Sequence, residues 1–458
     1  MSKLKVDLAL VQKYNVPGPR YTSYPPATRF TDQVAWPALA EEILQNNKTE
    51  RHLSLYFHIP FCQTLCWYCG CTTVITTQNR QSVTYLDYLK KELAQMSTLL
   101  NPKRKVVQLH FGGGTPTFLS PEEIRALGRL IHDHFNLADD VEAGVEIDPR
   151  RLTRDHLVAL REVGFNRASV GVQDFDGKVQ EAVHRLQPRE MTQRVIDDIR
   201  ELGFASVNID LIYGLPHQTA ASFEKTLDAV LEVAPDRLAV FSYAHVPWIK
   251  PAQKILENDA LPSAEVKLQL LKLIIEKLTD QDRYIYIGMD HFARPNDELA
   301  VAQRKKTLQR NFQGYSTRGG TDIYGFGMSS ISQIENAYWQ NQKELKTYYA
   351  ALDAGKAPLA KGYFVNDDDK VRRQTIMRLM CDLALNYAAM SKKLGVHFTT
   401  YFARELDSLA DLEADRLVRK TAGGLEVTEI GRLFIRNIAM RFDAYLPQEK
   451  ERRFSRTI

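Results

Sequence analysis

Four of the five cysteines in this 458-residue chain lie within ten consecutive residues, in the segment CQTLCWYCGC. Their spacing is Cys62-x3-Cys66-x2-Cys69, and Cys71 follows after a single glycine. A disulfide cluster would require an oxidising compartment, and a large chain with one further cysteine gives no sign of one. Thiolates that one short loop can bring to a common centre are typical of a metal site instead.

Two kinds of metal site are compatible with this loop. Zinc sites usually combine two paired Cys or His hooks that lie well apart in sequence, and the chain has no second hook. Three close thiolates suit an iron–sulfur cluster better. If three thiolates bind a four-iron cluster, one iron lacks a protein ligand and could hold a small molecule. The loop therefore predicts a reactive iron–sulfur site, with zinc and fortuitous clustering as the alternatives.

Composition limits the class of protein that carries this loop. Hydrophobic residues make up 44% of the chain and charged residues 25%, which is ordinary for a soluble globular protein of about two to three domains. A net charge of +4 is too small to indicate binding to nucleic acid or to an anionic membrane. No apolar run approaches the ~18 residues of a membrane span, and the start does not resemble a signal peptide. We therefore expect a cytoplasmic protein.

Strand and helix patterns alternate through the first half of the chain, which predicts a parallel sheet with helices outside it. The predicted strands are HLSLYFHI, VVQLHF, VEAGVEID, RASVGV, SVNIDLIYG and RLAVFSY. An open doubly wound sheet and a barrel both fit this pattern. Six units rather than eight favour an α/β fold of the partial (β/α)6 barrel type, which is open on one side for a large substrate.

The remaining chain predicts two further parts. Residues 1–36 form an N-terminal arm, residues 37–364 the barrel domain, and residues 365–458 a mostly helical C-terminal domain. Two short strands around Gly423-Gly424, followed by a helix starting at Thr428, predict a winged-helix-like end that serves as a scaffold or lid. In the arm, the row from Arg20 to Tyr24 either packs on the body or donates hydrogen bonds to an anionic ligand.

Polar residues collect where the predicted strands end. They are the cysteine loop, the turn Gly112–Thr115, Glu146, Gln173 and the group Tyr243–His245, while Asp210 lies inside the fifth strand. In both candidate folds this edge of the sheet carries the functional site. Tyr56 and His58 flank the cysteine loop on the first strand, where packing and a role in the site are equally compatible with the sequence.

The cysteine motif, with aromatic Tyr68 before the third cysteine, resembles the signature of the radical S-adenosylmethionine (SAM) superfamily. Longer segments resemble the oxygen-independent coproporphyrinogen III oxidase family along essentially the whole chain. They include YNVPGPRYTSYPPA, YFHIPFCQTLCWYCGC, HFGGGTPTFLS, NIDLIYGLPHQT, GMDHFARP and NFQGY. The resemblance implies a barrel of the radical SAM kind that contains a [4Fe–4S] cluster and two SAM molecules.

The same resemblance implies an oxidoreductase of haem biosynthesis. Members of the family convert two propionates of coproporphyrinogen III to vinyl groups and so produce protoporphyrinogen IX. The β C–H bond of a propionate is too strong and too weakly acidic for side-chain bases, so the cofactors must supply a radical. In the family that radical is the 5′-deoxyadenosyl radical, formed when the reduced cluster passes one electron to SAM.

Matches to the family's motifs imply roles for individual residues. Cys62, Cys66 and Cys69 match the cluster ligands. Positions that match contacts to the SAM on the cluster are Tyr56, Gly113, Glu146 and Ile331. Positions that match contacts to the second SAM are Tyr68, Gly114, Thr115, Gln173, Arg185, Asp210 and Ala244. Cys71 matches a fourth cysteine that is needed for activity without binding iron, and it forms the predicted catalytic set with Tyr56 and His58.

Partners and rival functions follow from the same matches. We expect a monomer that takes coproporphyrinogen III and a reductase or flavodoxin-type electron donor, with no nucleic-acid or membrane partner. A haem chaperone on the same scaffold and a winged-helix iron–sulfur regulator are the alternatives. The haem chaperones usually lack the fourth cysteine and the long N-terminal arm, and both are present in this chain.

Overall fold

The structure is a computed structural model, and it describes residues 5–258, 260–446, 454, 456 and 457. Its strands are β1 (Leu53–Ile59), β2 (Phe61–Cys62), β3 (Val74–Ile75), β4 (Lys105–Gly113), β5 (Asn136–Ile147), β6 (Arg167–Gln173), β7 (Ser206–Tyr213), β8 (Arg237–Ser242), β9 (Ile285–Gly288), β10 (His291–Ala293), β11 (Gln309–Asn311), β12 (Gly314–Ser316), β13 (Asp322–Phe326), β14 (Ile331–Gln333), β15 (Ala337–Asn341), β16 (Leu359–Phe364), β17 (Ala384–Asn386), β18 (Val418–Thr421) and β19 (Gly424–Val427).

The α-helices surround the sheet or lie in the C-terminal part. They are α1 (Leu8–Tyr14), α2 (Trp36–Asn46), α3 (Arg80–Ser97), α4 (Pro121–His134), α5 (Arg154–Val163), α6 (Gly177–Ala182), α7 (Arg189–Glu201), α8 (Ala220–Val233), α9 (Ala264–Leu278), α10 (Glu298–Arg304), α11 (Leu345–Asp353), α12 (Asp367–Asp382), α13 (Tyr387–Leu394), α14 (Phe398–Tyr401), α15 (Ala403–Asp407), α16 (Ala410–Ala414) and α17 (Ile435–Met440). Among the described residues, no helix has the length and apolar character of a membrane span.

One long sheet forms the centre of the fold, in the order β16-β15-β14-β13-β1-β4-β5-β6-β7-β8-β10-β9. The six predicted strands, β1 and β4 to β8, are parallel neighbours, which confirms the partial barrel. A seventh parallel strand, β13, pairs with β1 from Leu53 opposite Asp322 to Phe57 opposite Phe326. That β13 joins the barrel was not predicted, because it is one short strand in a glycine-rich segment where only loops and short strands are indicated.

Local sequence signals set the ends of the outer helices. Ser120 caps α4: its hydroxyl accepts the Glu123 N–H at 3.2 Å, and the Glu123 carboxylate accepts the Ser120 N–H at 2.7 Å. Pro121 occupies the first helical position, as the sequence predicts. Helix α5 ends at Gly164, whose φ of 107° lies in the left-handed region that favours glycine. The helix ends determine where the loops that connect each helix to its neighbouring strands begin.

Alternation along β1 divides its side chains between the hydrophobic core and the opposite face of the strand. Leu55, Phe57 and Ile59 are completely buried in the hydrophobic core, where each contributes about 1.5–3 kcal/mol by burial. Tyr56 and His58 point to the opposite face. On the neighbouring strand β4, His110 lies directly opposite Tyr56. The buried side chains thus hold Tyr56 against the ring of His110 on the opposite face of the sheet.

The C-terminal part confirms the predicted pair of strands and corrects the helix that follows it. Strands β18 and β19 pair as an antiparallel hairpin, and β17, which was not predicted, completes a three-stranded sheet. The helix expected from Thr428 is instead a 3-10 helix, Ile430–Phe434, followed by α17. Thr428 accepts the Gly431 N–H at 3.0 Å and also donates to backbone carbonyls, so it belongs to the turn rather than to the helix.

The N-terminal arm packs against the C-terminal part of the chain. Tyr21 is buried and donates to the Asp443 carboxylate at 2.8 Å, and the Tyr24 hydroxyl accepts the Ala444 N–H at 3.0 Å. Ser23 donates to a backbone carbonyl within the arm, and Arg20 pairs with Asp290. Most donors of the predicted row are therefore used inside the protein, which favours the packing interpretation of the arm.

Candidate active site

Most of the predicted site residues line one cavity of about 450 Å³ inside the barrel. They are Cys62, Cys66, Tyr68, Cys69, Cys71, Gly113, Gly114, Thr115, Glu146, Gln173, Arg185 and Asp210. Ala244 instead lines a neighbouring cavity of about 800 Å³. Ile331, at the start of β14, packs against a small cluster around Tyr338. The convergence of residues from six separate segments identifies the barrel cavity as the candidate active site.

The cysteine loop is held closed at both ends by backbone hydrogen bonds. The Val74 N–H donates to the Pro60 carbonyl at 2.8 Å, and the Thr76 N–H donates to the Cys62 carbonyl at 2.9 Å. In the middle of the loop, the Trp67 N–H donates to the Val183 carbonyl at 3.1 Å. Because the backbone is fixed at these three points, the four thiols of the loop are presented together at one end of the cavity.

All four thiols are free, and the sulfur atoms of Cys62 and Cys69 each have a polar neighbour. The Cys71 N–H donates to the Cys69 sulfur at 3.4 Å, and the Thr115 hydroxyl lies 3.4 Å from the Cys62 sulfur. Hydrogen bonding from Cys71 lowers the pKa of Cys69 to about 6, whereas burial raises the pKa of Cys62 to about 11. Such donors stabilise thiolates that bind iron.

The two kinds of metal site require different arrangements of their ligands. Among the residues that the structure describes, no three His, Cys, Asp or Glu side chains converge on a point suited to a single ion. A mononuclear zinc site needs that convergence, because all its ligands bind one atom. A four-iron cluster takes one thiolate per iron and so requires sulfur atoms that lie apart. An iron–sulfur cluster therefore stays the prediction for this loop.

Two arginines lie beside the Cys66 sulfur, and only one of them was predicted from the sequence. Arg150 donates to the Cys66 sulfur at 3.4 Å, and Arg185 approaches the same sulfur at 3.5 Å. Asp148 holds both guanidinium groups, at 2.6 Å from Arg150 and 3.1 Å from Arg185. Burial alone would raise the pKa of Asp148, but Arg185 and Arg150 lower it to about 2. Only Arg185 was predicted, because no local pattern connects Asp148 or Arg150 with the cysteines.

Tyr56 and His58 hold the segment that leaves the cysteine loop. The His58 Nε2 lies 2.9 Å from the Thr72 carbonyl oxygen, which can only accept, so Nε2 carries the proton. Nδ1 therefore accepts from the Tyr56 hydroxyl at 3.2 Å. Burial lowers the pKa of His58, which keeps this ring neutral. The pair thus fixes the residue after Cys71, and its catalytic role stays a prediction.

The glycine turn after β4 passes closely beneath the cysteine loop. A Cβ on Gly113, whose φ is 114°, would lie 2.6 Å from the His58 ring, and a Cβ on Gly114 would lie 2.6 Å from the Pro60 backbone. The Gly114 N–H also donates to the Ile59 carbonyl at 2.8 Å. Packing within the chain therefore explains why glycine is needed here, and ligand contact at these positions stays a prediction.

Two carboxylates of the cavity have opposite pKa shifts. Burial opposes ionisation of Glu146, but His110, at 3.5 Å, and the Gly113 N–H, at 3.1 Å, outweigh it and lower the pKa. Asp210 has only neutral partners, the Ser169 hydroxyl and the Asn208 amide, so burial raises its pKa to about 6. His110, which the sequence analysis missed, is therefore the residue that keeps Glu146 ionised.

Gln173 shows two features of a ligand-binding residue. Its φ of 70° lies in the left-handed region, which is costly for a residue with a side chain and is concentrated at functional sites. Its side-chain carbonyl oxygen is buried without a hydrogen-bond partner among the described residues. An unpaired buried acceptor next to Arg185 and Asp210 in one cavity fits a site that binds a polar cofactor such as SAM.

Comparison with known proteins agrees with this geometry. The family model of the radical SAM superfamily matches residues 56–230, and that of the HemN C-terminal domain matches residues 365–434. The oxygen-independent coproporphyrinogen III oxidase of Escherichia coli strain K12 is 49% identical, over 99% of this chain and 98% of its own length. The protein of that name from Synechocystis is 47% identical, over 98% of this chain and 97% of its own length.

A solved structure is similar over the same span. It is the coproporphyrinogen III oxidase of Escherichia coli, described as a radical SAM enzyme, with a TM-score of 0.92 and 46% sequence identity. The similarity covers 97% of this chain and 100% of the other. The two chains therefore have the same fold over nearly their whole length.

Proposed function

The chain belongs to the family of oxygen-independent coproporphyrinogen III oxidases of the radical SAM superfamily, and we propose that it acts on coproporphyrinogen III. In the proposed reaction, two propionate side chains become vinyl groups and the product is protoporphyrinogen IX. The observation that carries this proposal is the set of three free cysteines that line the barrel cavity together with the charged residues Glu146, Arg185 and Asp210.

Three cysteines and their donors would hold the metal cofactor. Cys62, Cys66 and Cys69 would each bind one iron of a [4Fe–4S] cluster, and Arg150 and Arg185 would stabilise the Cys66 thiolate. Bound there, the cluster and SAM would supply a 5′-deoxyadenosyl radical that accepts a hydrogen atom. Cys71 is exposed and lies outside the proposed ligand set, so its side chain would remain accessible to the substrate.

The other predicted residues would bind and orient two SAM molecules. Tyr56, Gly113, Glu146 and Ile331 would contact the one on the cluster. Tyr68, Gly114, Thr115, Gln173, Arg185, Asp210 and Ala244 would contact the second. The ionised Glu146 suits an ammonium or ribose hydroxyl, and the unpaired oxygen of Gln173 suits a donor of the cofactor.

The reaction is balanced for each propionate. One hydrogen atom leaves the carbon next to the pyrrole ring, the bond to the carboxylate carbon breaks, and CO2 departs. One further electron passes to a one-electron acceptor, which leaves a carbon–carbon double bond. The chain's contribution is to position the propionate and to exclude water and oxygen from the reacting carbon.

The domain limits and partners complete the proposal. Residues 1–36 would form the arm, residues 37–364 the catalytic barrel, and residues 365–458 the C-terminal domain. The enzyme would work as a cytoplasmic monomer that is reduced by a reductase or flavodoxin-type donor, without a nucleic-acid or membrane partner.

Anaerobic reconstitution tests the proposal directly. Protein loaded with iron and sulfide is incubated with coproporphyrinogen III, SAM and a reductant, and the porphyrinogens are oxidised and separated. We expect a product with two vinyl groups and two molecules of CO2 released per substrate. Haem binding without any vinyl product would contradict the proposal and favour a chaperone.

A further inference from the structure

A buried arginine without an acidic partner lies behind one wall of the barrel cavity. Arg310, on β11, is 6% exposed, and its Nε and Nη1 atoms have no hydrogen-bond partner among the described residues. Its Nη2 atom donates to the backbone carbonyl of Arg20 at 3.3 Å. An isolated buried charge is strongly unfavourable unless it is paired, so a bound anion would stabilise this guanidinium group.

Two further unpaired polar atoms lie on the same wall. The Nδ1 of His291 and the Nε2 of Gln313 are both buried without partners in the described part of the chain, and both residues line the barrel cavity. The ring of Tyr315, which also lines the cavity, lies 5.4 Å from the His291 ring and 4.7 Å from the Arg310 guanidinium carbon. We name Arg310, His291, Gln313 and Tyr315 the Arg310 wall.

The acids nearby already have partners. Asp290 forms an ion pair with Arg20, and Asp297 forms one with Arg237 at 2.9 Å. His291 adds no positive charge near neutral pH, because burial and Arg310 lower its pKa to about 4. Neutral His291 can still donate one hydrogen bond. The wall therefore combines one unbalanced positive charge with neutral donors, which suits an anion with more than one acceptor.

We propose that the Arg310 wall binds a carboxylate of the substrate that does not react. This inference rests on the proposed function, because coproporphyrinogen III carries four carboxylates and the reaction removes two. The same cavity is lined by the cysteine loop and by His291, so a substrate whose reacting propionate lies near the cysteines can place another carboxylate at this wall. The planar guanidinium of Arg310 matches the geometry of a carboxylate, and His291 and Gln313 supply further donors.

Replacement of Arg310 tests the proposal in the cluster-loaded enzyme. Anaerobic binding of coproporphyrinogen III and steady-state kinetics are measured for wild type, Arg310→Met and Arg310→Lys. We expect Arg310→Met to weaken substrate binding and raise KM by about 10- to 100-fold, because a charge-assisted hydrogen bond is lost. Arg310→Lys should recover part of the affinity. Iron content and SAM binding should be unchanged in both variants.

A substrate analogue separates a direct contact from a structural effect. In this probe the two propionates that do not react are replaced by ethyl groups, so the proposed partner of the wall is absent. Wild type should bind the probe more weakly than coproporphyrinogen III, and Arg310→Met should bind both equally. Equal losses for both ligands in Arg310→Met would overturn the proposal. If Arg310→Met does not fold, Arg310→Lys and His291→Gln are compared by the same two ligands.

A matched control and the wild type distinguish the two proposals. Arg294→Met removes another arginine of this barrel edge, whose partners are backbone carbonyls of residues 234 and 235. It should leave the difference between the two ligands unchanged. If wild type neither binds nor converts coproporphyrinogen III, the proposed function fails. If wild type does both and Arg310→Met binds the substrate within twofold of wild type, only the carboxylate site fails.

Discussion

The cysteine end of the cavity and the Arg310 wall differ in whether their buried charges have partners within the protein. At the cysteine end, Asp148 lies within 3.1 Å of both Arg150 and Arg185, and both arginines reach the Cys66 sulfur. At the Arg310 wall the guanidinium has no carboxylate partner in the described chain. At the cysteine end the buried charges are paired within the protein, which suits a cofactor that stays bound. At the Arg310 wall the buried charge is paired only when a ligand supplies an anion, as expected for a substrate contact.

The largest expected effect concerns the cysteine end. Cys66→Ser removes one proposed iron ligand together with the acceptor of two arginine donors. We expect iron content to fall well below the four atoms per chain of the reconstituted wild type, with loss of the cluster absorbance and of all turnover. Iron and sulfide analysis checks this, with Cys381→Ser as the control because Cys381 is buried in α12. A full zinc load without visible absorbance in wild type would rule out the cluster.

Cys71→Ser should separate iron binding from catalysis within the same loop. Cys71 is exposed, and both its thiol and its backbone N–H are hydrogen-bonded to the Cys69 sulfur, contacts that a serine hydroxyl and backbone can still make. The variant should keep iron content and cluster absorbance but lose vinyl formation. Collapse of the iron content would instead make Cys71 a ligand and leave no open iron for SAM.

Asp148→Asn should show how strongly the cysteine end depends on its internal pairing. The pKa of Asp148 falls from 3.8 in the unfolded chain to about 2 in the folded protein, so its ionised form stabilises the fold above pH 4. We expect the variant to lose about 2 kcal/mol of unfolding free energy at pH 7. The deficit should shrink as the pH falls from 4 toward 2, because both states then bind the proton. Urea unfolding of the metal-free protein over this pH range measures it.

Replacement of Asp210, a second carboxylate of the cavity, should change the pH dependence of stability in the opposite direction in the same urea experiment. Asp210 has no cationic hydrogen-bond partner and its pKa is raised to about 6, so its ionisation destabilises the fold as the pH rises. Asp210→Asn should therefore be neutral below pH 4 and stabilising above pH 6. Identical pH profiles for the two variants would show that the arginine pair does not decide the charge of Asp148.

The smallest expected effect concerns the redox potential. Arg150→Met removes one hydrogen bond and one positive charge from Cys66, both of which favour the reduced cluster. We expect the reduction potential to fall by about 60 mV, since a loss of ~1.4 kcal/mol corresponds to ~59 mV for one electron. Potentiometry followed by electron paramagnetic resonance measures the shift. Arg151→Met is the control, because the neighbouring Arg151 is exposed, and an equal shift in both variants would contradict a specific contact.

Sequence patterns predicted the parts of the site that depend on short stretches of chain. The cysteine loop, the capped start of α4 and the stop of α5 at Gly164 each involve residues within about ten positions, so covalent geometry restricts where they lie. The alternation of strands and helices also predicted that the cysteine loop, the turn Gly112–Thr115, Glu146 and Gln173 lie at one edge, because parallel strands end at the same side of a sheet, and residues of all four line one cavity.

Contacts between distant residues were decided only by the tertiary structure. Arg150 and Cys66 are 84 positions apart, and nothing in either segment indicates the other. The pairing of β13 with β1, the position of Ala244 in a neighbouring cavity and the unpaired state of Arg310 likewise depend on how whole elements pack. Register and packing determine which buried charges meet. The cysteine spacing, the strand pattern and the family resemblance therefore predicted where the site lies, whereas the fold alone decided which of its charges are paired.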